Sequence, residues 1–285
     1  MLLKAEGITK RYGKTTVLDG VNLEIAAGQF IALLGHNGVG KSTLMKILMR
    51  GEGATSGKAS VLGYDFEARD VHLANREVAF VSEDLQFELD LPISDMGAFF
   101  GRFYPNWNRG TFDRLAGEFR LPRDGRPQGV SRGQKMQIAF AVAVAATPKL
   151  LFVDEITSVL DAGARLIALR EMIAIRGRGG SVLAATNIVT DVQSFVDEVM
   201  ILRDGKIVLQ GNPRELIAKF EKLRIVAENL GTSAVPATAR LVAVNSDHSY
   251  SYLVPRGHEP VRGTESDRRA ISLEELFVYY TGVRE

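Results

Sequence analysis

The chain has 285 residues, enough for one large domain or a domain with an appendage, and its 46% hydrophobic and 24% charged content can supply a sizeable core. A formal net charge of +1 gives no global pull toward nucleic acid or anionic lipid. With no cysteine, disulfides, thiolate metal sites and cysteine nucleophiles are excluded.

Met1-Leu2-Leu3-Lys4-Ala5-Glu6 has no signal-peptide pattern, and the longest apolar run, Ile138 to Ala146, is far short of a membrane span. The expectation is a soluble intracellular protein whose membrane role, if any, needs a partner. Val21, Leu23 and Ile25 alternate with polar or small residues, predicting a half-buried strand in an N-terminal antiparallel layer. The apolar run Phe30-Ile31-Ala32-Leu33-Leu34 then leads into Gly35-His36-Asn37-Gly38-Val39-Gly40-Lys41-Ser42-Thr43. Four residues separate Gly35 from Gly40-Lys41-Ser42, the spacing of a phosphate-binding loop. Glycines let backbone N–H groups turn inward toward phosphate oxygens. Lys41 adds a charge for the β- and γ-phosphates, and Ser42 a hydroxyl for Mg²⁺. The helix that starts here aims its positive end at the same anion.

Strand-like runs return at Val78–Val81, Leu150–Val153, Ser181–Ala185 and Val199–Leu202, with helical patterns between several of them, as at Leu166 to Ile175. This alternation predicts an α/β fold with a mostly parallel sheet covered on both faces. The segment from about Leu85 to Gly129 breaks the rhythm and reads as a helical insertion. Its Phe99, Phe100, Phe103, Tyr104, Trp107, Leu115 and Phe119 are expected in the core. Arg203-Asp204-Gly205-Lys206 reads as a turn between strands, and Asn212-Pro213 as the start of a helix over Arg214 to Leu223. From about residue 222 the character changes to short strands, at Arg224–Val226, Arg240–Val244 and Tyr252–Val254. A final helix opens at the capping-box pattern Ser272-Leu273-Glu274-Glu275. This small α+β piece balances eight basic residues against eight acidic ones, so it is no nucleic-acid arm.

Leu150-Leu151-Phe152-Val153-Asp154-Glu155 is an apolar strand ending in two carboxylates, which places them in the crevice where α/β sheets bind ligands. Asp154 is suited to holding Mg²⁺ and Glu155 to orienting or deprotonating a water for attack at phosphorus. An apolar strand ending in Asp-Glu is common by itself; downstream of a phosphate loop it is specific. Val130-Ser131-Arg132-Gly133-Gln134 leads into a helix 20 residues before Asp154. Alone it would be a serine capping an ordinary helix.

In this order the motifs resemble those of the ATP-binding subunit of an ABC transporter, over residues 1 to about 220. That family has Leu-Ser-Gly-Gly-Gln at this place, so Val130 replaces Leu and Arg132 the central Gly, while Ser131, Gly133 and Gln134 are retained. The resemblance implies a P-loop NTPase domain over residues 1–221, with a helical subdomain at about 85–135, followed by an accessory domain at 222–285. It implies ATP and Mg²⁺ as cofactors, and a homo- or heterodimer in which Ser131 and its helix start meet the γ-phosphate held by the opposite subunit. It implies further that Tyr12 stacks on adenine and that Asp161, in Ser158-Val159-Leu160-Asp161, lies in the loop crossing the dimer interface. Hydrolysis would involve Lys41, Glu155 and the residue at position 187, with Ser42, Asp154 and the residue at position 83 near the metal. The partner would be a separate integral membrane permease, with the subunit peripheral on the cytoplasmic face.

Besides Val130 and Arg132, departures from the family pattern fall at three further places. Ile156 stands where proline usually follows Asp-Glu. Glu83 stands where the family has glutamine, and Asn187 where it has the switch histidine. Asparagine donates a hydrogen bond but carries no titrating proton, so hydrolysis is expected to survive at a reduced rate. The closing Leu276-Phe277-Val278-Tyr279-Tyr280-Thr281-Gly282 is similar to tails of bacterial drug- or antibiotic-export ATPases. Two alternatives stay open from the sequence. One is a soluble ABC ATPase acting away from membranes; the other is a nucleotide-gated regulatory subunit with negligible turnover.

Overall fold

A computed structural model describes residues 1–82, 90–226, 236–257, 265–266 and 270–282. The first strands are β1 (Leu3–Tyr12), β2 (Thr15–Ile25) and β3 (Phe30–Leu34), followed by α1 (Lys41–Leu48) and the pair β4 (Ser56–Val61) and β5 (Tyr64–Asp65). After β6 (Val78–Ser82) come α2 (Ile93–Phe100), α3 (Arg109–Glu118) and α4 (Arg132–Ala145). The chain then alternates through β7 (Leu150–Asp154), α5 (Ala162–Gly177), β8 (Ser181–Thr186) and the hairpin β9 (Glu198–Arg203) and β10 (Lys206–Gly211). It closes with α6 (Pro213–Ile217), β11 (Phe220–Val226), β12 (Arg240–Val244), β13 (Ser249–Pro255), β14 (Glu265–Ser266) and α7 (Leu273–Thr281).

The central sheet has the order β10-β9-β3-β8-β7-β6, parallel throughout except for β10. Its strands are apolar at nearly every position because both faces are covered. In β3, Phe30, Ala32 and Leu34 enter one core, while Ile31 and Leu33 enter another on the opposite face. β7 divides the same way, Leu151 and Val153 against Leu150 and Phe152, as a period of two requires. Leu44, Met45, Ile47 and Leu48 of α1 and the antiparallel sheet β2-β1-β4-β5 cover one face. α4, α5 and the helical insertion cover the other, joined by Leu273, Leu276 and Phe277 of α7. Among the described residues, no helix is long and apolar enough to cross a membrane.

Two expectations need correction. The helix begun at Pro213 ends at Ile217, and Phe220 already lies in β11, whose residues pair with β13 from Phe220↔Pro255 to Val226↔Ser249. Asn212 caps the short helix through Arg214 N and Glu215 N, but strand pairing overrides its continuation. Within the insertion, Leu115 and Phe119 are buried, and Phe100 and Trp107 pack against the core, whereas Phe103 is 57% exposed. Phe103 instead shares an aromatic contact with Phe99 on the surface side of the turn after α2.

An ionic network ties the insertion to the central domain. Arg114 of α3 forks onto the buried Glu171 of α5, both bonds at 3.0 Å, and Arg170 bridges Glu171 and Glu118. Burial pushes the Glu171 carboxyl up, but hydrogen bonds from Arg114 and Arg170 bring it below the usual carboxylate range.

The β9–β10 hairpin turns on Asp204 (φ 49°) and Gly205 (φ 74°), the left-handed pair that matches strand twist in a two-residue loop. A Cβ at Gly205 would stand 2.7 Å from the Val17 carbonyl oxygen, so the glycine also admits β2 at close range. Gly205→Ala is expected to destabilise the chain by about 2 kcal/mol in urea unfolding, from left-handed strain plus the clash; an unchanged midpoint would refute this account of the turn.

Candidate functional site

The parallel register brings the carboxyl ends of three strands to one edge. Leu34 of β3 pairs with Thr186 of β8, and Asp154 of β7 pairs with Ala185 of β8. The residues after them, Gly35, Asn187 and Glu155, therefore meet above that edge, where open α/β sheets bind ligands.

The phosphate loop occupies Gly35 to Gly40, with Gly38 at φ 79° and Gly40 at φ 109° leading into α1. Side chains other than glycine rarely adopt these conformations. The loop wraps the Lys41 ammonium, whose side chain is 3% exposed. Lys41 Nζ donates to the carbonyls of Gly35 at 2.8 Å and His36 at 3.1 Å, and pairs with Glu155 Oε1 at 2.8 Å. Glu155 is itself held at φ 52°, with its N–H on the Ala185 carbonyl and its own carbonyl taking the Ser158 hydroxyl. Asn187 Nδ2 donates to Asn37 Oδ1 at 3.0 Å, so position 187 reaches the loop directly.

Asp154 is buried, and its Oδ1 has no hydrogen-bond partner. Burial pushes its carboxyl above the ordinary 3.8, while a hydrogen bond from Ser42 pulls the other way. A buried carboxylate oxygen without a protein donor, beside a serine hydroxyl, is a fit for a hard divalent cation that keeps its remaining ligands from water and phosphate. Among the described residues, no group of three or more His, Asp or Glu side chains is placed to hold a metal ion. Glu83 lies outside the described residues.

Tyr12 stands at the end of β1 with its ring 47% exposed. Its hydroxyl bonds to Glu52, which raises its pKa, and lies within the influence of Thr43. Lys10 Nζ sits 4.9 Å from the ring centroid. The partly exposed ring is thus beside the start of α1, with Lys10 over it.

Ser131, Gly133 and Gln134 are elsewhere. They open α4 in a complete capping box: Ser131 Oγ accepts from Gln134 N, and Gln134 Oε1 from Ser131 N. Among the described residues, the side-chain hydrogen bonds of Ser131 and Gln134 run to each other, not to the phosphate loop. Gly133 is at the Val159 carbonyl, where an added Cβ would approach to 3.3 Å, so the start of α4 leans on the loop of Ser158 to Asp161. Asp161 caps α5, accepting from Ala164 N at 2.8 Å.

A family model described as "ABC transporter" matches residues 18–158. The chain is 30% identical over 291 residues to the Nod factor export ATP-binding protein I of Mesorhizobium japonicum, covering 97% of this chain and 85% of that protein. The chain belongs to the ABC transporter family. It is an ATP-binding subunit, and its fold agrees. A solved ATP-binding subunit of an ABC transporter superposes with a TM-score of 0.69 at 24% identity, over 76% of this chain and 92% of that one. A dimeric ATP-binding cassette in a post-hydrolysis state, bound to ADP and Pi, superposes at 0.66 and 20% identity, over 74% of this chain and 98% of that one.

Contacts that sequence reading missed in this ABC subunit join segments far apart in the chain. The Phe277 ring of α7 lies 5.4 Å from that of His36, and Glu52 reaches Tyr12. No spacing rule signals either pair, since both depend on how separate elements pack.

The ionised Asp154 carboxylate carries a native-state cost, because its folded pKa lies above the unfolded one. That cost grows as pH rises from 3.8 through the raised native value. Asp154→Asn is expected to raise Tm by about 1–3 °C at pH 7 in metal-free buffer. It should also remove the extra stabilisation that Mg²⁺ adds to ATP. Calorimetry with and without each ligand checks both, and a variant that keeps the Mg²⁺ increment would rule out Asp154 as the metal ligand.

Proposed function

We propose that this ATP-binding subunit hydrolyses Mg²⁺-ATP at composite sites formed between two such subunits, and that closure and reopening of the pair drive export through a separate integral membrane permease. The observation that carries this reading is the division of the machinery. Lys41, Asp154, Glu155 and Asn187 converge at the ends of β3, β7 and β8, while Ser131, Gly133 and Gln134 sit at the start of α4 and, among the described residues, make no side-chain hydrogen bond to them. A second subunit, identical or homologous, would present its own α4 start to this loop, adding backbone N–H groups and a hydroxyl to the γ-phosphate.

Within the site, Lys41 would exchange Glu155 and the loop carbonyls for phosphate oxygens, and the released Glu155 carboxylate would orient an attacking water and take its proton. Ser42 and Asp154 would hold Mg²⁺, with Glu83 a further candidate. Tyr12 would stack on adenine, and Asn187 would donate to the γ-phosphate in place of an imidazole. Residues 1–221 would form the ATPase domain, with 222–285 as an accessory domain. Export as the direction is supported by the name of the M. japonicum relative, an export ATP-binding protein. Attachment at the cytoplasmic face of the membrane would follow from the permease.

Glu155→Gln is expected to cut ATP turnover by about 100-fold or more while ATP binding is retained, measured by phosphate release and nucleotide titration. Equal, near-background turnover in wild type and variant would favour a nucleotide-gated regulator. Asn187→His is expected to speed turnover, and an unchanged rate would remove position 187 as the limiting feature.

A further inference from the structure

We propose that α7 is a positioning element of the ATP site and that Phe277 acts on the phosphate loop through His36. The inference rests on the ATP-site reading above and concerns residues outside the matched family segment, which ends at residue 158.

Three observations converge. First, the buried Phe277 ring packs at 5.4 Å and 59° against His36, whose carbonyl is one of the two that the Lys41 ammonium holds. Phe277 thus bears on the side chain of a residue whose backbone defines the loop. Second, α7 also packs against the turn Val189–Asp191 and against β9. That turn follows Asn187, which bonds to Asn37. One helix therefore backs both loops that meet over the γ-phosphate position. Third, α7 is fixed at both ends. A capping box of Ser272 and Glu275 closes its start, and Glu275 pairs with Lys222 of β11 at 2.6 Å, both side chains mostly buried. At its end, Arg203 of β9 donates to the Tyr280 carbonyl at 2.7 Å, a cation on the negative pole of the helix.

A glycine-rich loop has many conformations to lose, so an anchor on one of its few side chains raises the population able to receive phosphate. Apparent affinity falls in proportion to the competent fraction when that anchor is removed. The reciprocal holds: whatever displaces α7 weakens ATP binding, and bound ATP resists that displacement by the same factor.

The test is titration of the purified full chain with a fluorescent ATP analogue in Mg²⁺, alongside urea unfolding. Phe277→Ala is expected to weaken binding about tenfold. Phe277→Leu, which keeps apolar bulk but no flat ring, should weaken it several-fold with near wild-type stability, so the result stands even where the alanine variant folds poorly. In the His36→Ala background, Phe277→Leu should have no further effect. Leu276→Ala, buried on the same helix, controls for loosened packing. Unchanged affinity in Phe277→Leu, or an equal and additive loss in the His36→Ala background, overturns the inference. So does a Leu276→Ala variant of comparable stability that loses affinity as much. Failure of the wild-type chain to bind overturns the ATP-site reading itself.

Discussion

A buried ammonium organises this molecule. Lys41 is almost inaccessible, and an unpaired charge at that depth would be costly, so the surrounding chain must supply its partners. It does so with two carbonyls from the loop before it and a carboxylate from the end of β7. For these to converge, β3 and β7 must run parallel with β8 between them, in a register that levels their ends. That requirement accounts for the apolar strands, for the helices on both faces, and for the left-handed backbone at Gly40 and Glu155. In the function proposed above the same charge would serve phosphate, and its present partners are groups it could exchange at a sheet edge.

Much of this was legible from residue order. The Gly-x4-Gly-Lys-Ser spacing, the apolar strand ending in Asp154-Glu155 and the capping pattern at Ser272 each encode local geometry within a few residues, and the structure has them as read. Asn187 was placed only by its order among motifs, yet it lies at the loop. What stayed illegible depends on packing between distant segments. The pattern after Pro213 predicted a helix as far as Leu223, and pairing with β13 ends it at Ile217. Aromatic content suggested a filled core around the insertion, but Phe103 is left at the surface, in contact with Phe99.

The C-terminal piece illustrates the same limit in a different way. As a composition it is a neutral, unremarkable α+β segment. In the fold its last helix is part of the larger core, contributing Leu273, Leu276 and Phe277 beside residues of α4 and β9. Its own small cluster, around Leu223, Ile225, Tyr252 and Val254, is secondary to that attachment. The segment is therefore integrated with the nucleotide-binding edge rather than tethered beside it.

The capping box of α4 carries one more implication. A serine hydroxyl has two lone pairs and one hydrogen, and the cap draws only on a lone pair, since Ser131 Oγ accepts from Gln134 N. The hydrogen remains available to an acceptor approaching from outside. Helix stability and outward donation therefore use different parts of one atom group and do not compete. Threonine would preserve both capacities at the expense of a methyl group at the surface, alanine would lose both together, and aspartate would keep the cap while turning a donor into a repelling charge.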